Sequence, residues 1–146
     1  MRWKKLDPGP PGIYALVLAT GDDVPTELGR FVREQKIEAG ALTAIGAFSS
    51  AVLGYFDWET KQYKRIPVEE QVEVLSLIGD VAVSEGKPTL HMHVVLGKRD
   101  GSTVGGHLLE ARVRPTLEIT LTEPPGYLRK RKDPESGLAL IDLGRS

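Results

Sequence analysis

Only one stretch of this 146-residue chain carries a helical period, and nearly everything after it reads as strand. Asp22 or Asp23 can cap a helix start, Pro25 falls in the first turn, and Glu27 stands where the positive end of a helix dipole favours a carboxylate. Leu28, Phe31, Val32 and Ile37 recur at the spacing that lays one apolar stripe along a helix, and Gly40 is placed to end it. The spacing predicts one principal helix over residues 24–38. A chain with a single helix must bury that stripe against a sheet, so the strands decide the fold.

The strand signals are numerous. Ile13–Ala19 is a short apolar run, set off from a polar leader by the Pro/Gly turn at residues 7–12. Downstream, 41–47 and 50–57 are rich in small and apolar residues, and 58–62 reads as a hairpin connection into Tyr63–Ile66. Residues 67–71 suit a short turn of helix. The segment 72–80 alternates and then turns wholly apolar, as a central strand does, and 84–88 reads as a loop. Residues 89–96 and 103–108 predict a hairpin around Lys98-Arg99-Asp100-Gly101-Ser102, and 116–122 alternates strictly before Pro124-Pro125, where the sheet is expected to end. The expectation is an α+β single domain over 1–146, with a mainly antiparallel sheet of about seven strands, a core over 12–123 and a C-terminal tail over 124–146.

Composition narrows the function classes. The formal net charge is −1, whereas a domain gripping DNA mainly through phosphates is usually basic. With no cysteine there is neither a disulfide framework nor a thiolate metal site. The longest apolar run, Ile13–Ala19, is too short to cross a bilayer, and Met1–Pro8 has no signal-peptide character, so a cytoplasmic location without membrane contact is expected. Neither a phosphate-cradling Gly-Lys loop nor a Gly-x-Ser-x-Gly nucleophile turn is present.

All three histidines fall within seventeen residues: His91, His93 and His107. Side chains alternate along a strand, so His91 and His93 share one face while Leu90, Met92, Val94 and Leu96 share the other. The apolar face is the natural core, and the histidines look toward solvent, a pocket or a subunit interface. Hairpin register decides whether His107 joins them. A two-residue turn at Asp100-Gly101 pairs Val94 with His107 and sends it to the wrong face. A three-residue loop over Arg99-Asp100-Gly101, with Gly101 left-handed, pairs His93 with His107, and a bulge at Gly105-Gly106 also corrects the face. Three imidazoles on one face make an open nitrogen site for zinc or a similar divalent ion.

The residues resemble a known family. Gly86-Lys87-Pro88, Leu90-His91 and His93, then Gly105-Gly106-His107-Leu108 with thirteen residues between His93 and His107, are similar to the prokaryotic form of the plant-and-prokaryote-conserved (PPC) domain. The similarity extends to the opening strand and helix, to 72–79, and to Arg131-Lys132-Asp133, Glu135 and Gly137-Leu138. The resemblance implies a homotrimer holding a divalent metal, often taken as zinc, near the subunit boundary through His91, His93 and His107. It also implies a binding or regulatory role associated with DNA or a protein partner. The plant members carry an AT-hook with an Arg-Gly-Arg-Pro core, which this chain lacks, and a Gly-Arg-Phe-Glu-Ile-Leu segment. Here the matching stretch is Glu70-Gln71-Val72-Glu73-Val74-Leu75, with the glutamate but not the arginine.

Two further features belong to alternatives. The basic run Arg129-Lys130-Arg131-Lys132 suits phosphate or nucleic acid, or a solvated surface. A metal-dependent hydrolase or lyase, acting on a small molecule at a subunit interface, needs a general acid or base near the ion, and Glu110 and Glu73 are the candidates.

Overall fold

Nine strands and one helix follow one another in the computed structural model, which describes residues 1–7, 12–124 and 129–143. In chain order they are β1 (Arg2–Asp7), β2 (Ile13–Ala19), α1 (Val24–Glu34), β3 (Ala39–Asp57), β4 (Gln62–Val68), β5 (Val72–Ser84), β6 (Lys87–Gly97), β7 (Thr103–Thr122), β8 (Arg129–Lys132) and β9 (Ala139–Ile141). The Pro/Gly turn expected at 7–12 lies mostly outside the described residues.

The single helix begins as the sequence predicts. Asp23 is the N-cap, accepting from the Thr26 amide at 3.2 Å, with Pro25 in the first turn. It stops earlier than residue 38, and Gly40 is not its terminator but part of β3. Lys36 instead takes the left-handed conformation (φ 55°), and the amides of Lys36 and Ile37 close back onto Arg33 and Val32. These two bonds make a Schellman cap, and the fully buried Ile37 supplies its hydrophobic contact. Val24, Leu28, Phe31 and Val32 form the buried face, which packs on β6 and β7.

The strands differ from expectation in length. The segments expected at 41–47 and 50–57 are one continuous strand, β3, and those at 103–108 and 116–122 are one strand, β7. Bulges absorb the bends that the sequence suggests are breaks. At Gly46 (φ 153°) a Cβ would come within 2.2 Å of the Thr116 carbonyl oxygen, so this kink requires glycine. Residues 67–71 form no helix: Pro67 and Val68 complete β4, which pairs with β3. Glu85 and Gly86, both at positive φ, make a two-residue turn where a longer loop is expected.

Pairing places β7 between β2 and β3, and β3 between β7 and β5. β6 then bonds to both β5 and β7, closing a circuit β3–β5–β6–β7 around much of the core. The sheet does not end near Pro124. β8 pairs with β5 in parallel at Val83 and Ser84, and β9 pairs with β8, so the sheet is mixed.

Candidate metal centre

The β6–β7 hairpin fixes the site, and its turn settles the register. Lys98 and Ser102 flank Arg99-Asp100-Gly101, with the Lys98 amide donating to the Ser102 carbonyl at 2.8 Å and the Gly101 amide to the Lys98 carbonyl at 3.0 Å. Gly101 is left-handed (φ 84°), and Asp100 Oδ1 accepts from the Ser102 amide at 2.9 Å. This is the three-residue loop. His93 therefore pairs with His107 directly, and the register then runs unbroken to Gly97 and Thr103. The Gly105-Gly106 pair is not a bulge in this ladder. A Cβ on Gly106 would sit 2.8 Å from the Gly54 carbonyl oxygen, so glycine lets β3 approach beside His107.

The three imidazoles converge. Their ring centroids stand 4.9, 5.1 and 5.4 Å apart, and one ligand atom from each lies within 4.8 Å of the others. His91 Nε2 and His93 Nε2 are 3.1 Å apart. The inward partners Met92, Val94 and Leu96 are buried, which locks the strand face and hence the imidazole direction.

Other strands add residues that the sequence did not connect with the histidines. Asp80 on β5 pairs in register with His91, and its Oδ2 lies 3.5 Å from His91 Nδ1. Lys130 on β8 places Nζ 2.6 Å from Asp80 Oδ1, an ion pair set off the carboxylate's hydrogen-bonding direction. The Lys130 side chain is only 4% exposed. Tyr63 on β4 lies over the His107 ring at 4.8 Å. One signal for Asp80 was available: a carboxylate inside the apolar stretch 77–83 of β5 is unusual enough to need a reason. Lys130 had none, because its parallel pairing joins segments far apart in sequence.

The electrostatics favour the neutral imidazole at His107 and His91. Burial draws His107 down to about 4, with His91, His93 and Lys130 adding to the effect. Burial also lowers His91, helped by Lys130 and opposed by Asp80. Neutral imidazole is the ligand form, so the cluster is held ready for a cation. The fit is supported by His107 Nδ1, which is buried with no hydrogen-bond partner among the described residues. An unsatisfied nitrogen of this kind costs free energy unless something binds it.

Residues 8–125 match the Plants and Prokaryotes Conserved (PCC, or PPC) domain. The chain belongs to the PPC family. Solved structures agree with this assignment. A PPC protein of Pyrococcus horikoshii superposes at a TM-score of 0.83 with 35% identity, covering 89% of this chain and 90% of that one. A metal-containing protein of Archaeoglobus fulgidus gives 0.83 and 35% identity, with 96% of each chain covered. A Bacteroides thetaiotaomicron protein described as a candidate DNA-binding protein gives 0.90 at 26% identity, covering 98% and 99%. Among curated proteins, the bifunctional protein GlmU of a Synechococcus strain is 36% identical over 136 residues, 89% of this chain. The PPC chain spans only about a fifth (20%) of that relative's length.

The other residues singled out in the sequence fall elsewhere in this PPC fold. Glu110 is exposed and ion-paired with Arg65, and Glu73 is exposed on β5 opposite Gly97. Neither lines the cavities at the histidines. Within the basic run, Arg131 is solvated while Lys130 turns inward. No described helix is long and apolar enough to cross a membrane.

Proposed function

We propose that this PPC domain is a metal-binding module holding a divalent ion, zinc by its donor set, through His91, His93 and His107. The convergence of the three ligand atoms within 4.8 Å carries the reading. Two ligands about 2.0–2.1 Å from tetrahedral zinc stand roughly 3.3 Å apart, close to the Nε2 separation of His91 and His93. Asp80 beside His91 Nδ1 supplies the carboxylate that orients a ligating imidazole. Three protein ligands leave a fourth position open.

In this reading the module is an intracellular homotrimer with a regulatory role, associated with DNA or a protein partner. Self-association is supported by the exposed apolar residues Ile45, Leu75 and Ile78, which line one surface cavity, with Val95 exposed on the neighbouring β6; Ile78 also borders the cavity at His91 and His93. Association with DNA is supported by the likeness to the Bacteroides protein and by the solvated Arg131 and Lys132. Without an AT-hook core, contact through such residues would be phosphate-directed and steeply salt-dependent.

A second reading, a metal-dependent hydrolase or lyase acting at a subunit boundary, is favoured by one observation. The buried Lys130–Asp80 pair puts charged groups beside the histidines, where Glu73 and Glu110 put none.

The test is elemental analysis of the purified protein beside a His91→Ala/His93→Ala double mutant, with both masses measured in solution. Near-stoichiometric metal in the wild type and none in the mutant is expected, with a wild-type mass of three chains. No metal in either protein after zinc or manganese is supplied overturns the reading.

A further inference from the structure

The tail that closes the sheet also builds a second cavity against the metal centre. It measures about 200 Å³ and is lined by Tyr63, Leu90, His91, His107, Lys130 and the β9-side residues Leu138–Leu140. It shares His91 with a separate cavity that includes Ile78 and His93. The hairpin forming its outer wall is tied off locally: Ser136 donates its amide and hydroxyl to Asp133 Oδ2 at 2.7 and 2.6 Å. This wall is therefore a defined feature of the fold.

Charge and polarity restrict what fits. Imidazoles ligate in the neutral form and leave a divalent ion with both of its charges, and Lys130 lines the cavity while its partner Asp80 does not. An ammonium has three donors, and the contact with Asp80 is an ion pair and not a directed hydrogen bond. The lining thus combines the metal position at His91 and His107 and the Lys130 ammonium with the apolar side chains of Leu90, Leu138 and Leu140. Its volume falls below the roughly 300 Å³ at which drug-sized ligands begin. A dicarboxylate would place a second charge against the leucines, and inorganic phosphate would leave them uncovered.

We propose that this cavity takes a small aliphatic monocarboxylate, its charged end between the metal position and Lys130 and its alkyl end against Leu90, Leu138 and Leu140. The inference rests on the metal reading above and deepens it, naming the ligand class and making Lys130 a recognition residue. The basic run of the sequence then has two roles on alternating faces, Lys130 turned inward and Arg131 outward.

The probes are butyrate and its neutral isostere butyramide, titrated by calorimetry into zinc-loaded and metal-free protein after zinc content is measured. Butyrate should bind the zinc-loaded protein about tenfold or more tighter than butyramide, and should not bind the metal-free protein. Lys130→Met should weaken butyrate by about tenfold or more with zinc content unchanged. Because that change strands Asp80, Leu140→Glu provides a second variant: a like charge on an already half-exposed wall residue, which should weaken butyrate similarly and leave zinc in place. Cobalt substituted for zinc should change its visible spectrum on adding butyrate. If zinc loads but butyrate and butyramide bind alike, or neither binds, the inference is overturned while the metal reading stands. Binding of inorganic phosphate as tightly as butyrate also overturns the ligand class. Failure to load zinc removes the metal reading first, and this inference with it.

Discussion

The two faces of β6 are built from the same eleven residues and do opposite things. On one, Met92, Val94 and Leu96 are 4, 3 and 0% exposed and pack into the core under α1. On the other, His91, His93 and Val95 stay out of the core: the two histidines line a cavity and Val95 is 43% exposed. The first face is satisfied by the chain alone. In the proposed reading the second is completed by what the chain does not contain: a cation at the imidazoles, and a neighbouring surface over the exposed Val95 and Ile78. One strand therefore separates stability from function by side-chain parity, and substitutions on its two faces should respond to different measurements.

Leu96→Ala, on the core face, should give the largest effect. A fully buried leucine truncated to alanine costs about 2–5 kcal/mol, read as a lower urea midpoint with little change in slope. Zinc content per folded chain should stay close to wild type. Loss of zinc at unchanged stability would break the separation between the faces.

Zinc itself should act next. At about 100 times its dissociation constant, a ligand bound only by the folded state stabilises by about 2.7 kcal/mol. Thermal unfolding of the wild type should show that gain, and His93→Ala should not. A comparable gain in the variant would place the ion elsewhere. Asp80→Asn should follow, because losing the carboxylate behind a ligating histidine costs about 10–100-fold in metal affinity. Competition with a chelator measures this, and an unchanged affinity would make Asp80 a partner of Lys130 alone.

Much of this contrast is legible in the sequence, and what is not fails for physical reasons. The parity of Leu90–Leu96 places the histidines off the core without any tertiary information. The register of His107 is left among alternatives, and the left-handed Gly101 chooses among them. The N-cap at Asp23 is a local signal and is readable. The helix end is not, because Lys36 adopts a conformation usually left to glycine and the core holds it there through Ile37. Gly46 looks like a strand break because glycine weakens strands, yet pairing on both sides of β3 carries the strand through a bulge. Ile78 lies in a run that suggests a central core strand but is 56% exposed, since alternation outlasts the loss of polar residues. Lys130 is the deepest omission: its burial depends on a two-residue parallel pairing with β5 that no local pattern encodes.

The smallest expected effect is the most discriminating. His93→Ala, measured without metal, should change unfolding free energy by no more than about 0.5 kcal/mol, because His93 is exposed and its one described hydrogen-bond contact is with His91. Unlike Leu96, it leaves no cavity when truncated, and water can reach the vacated space. A cost near that of Leu96→Ala would mean that the imidazoles hold the strands together without any ion, making the outward face a second structural seam. A negligible cost, joined to complete loss of the zinc-dependent gain, would show that this face was kept for its ligand.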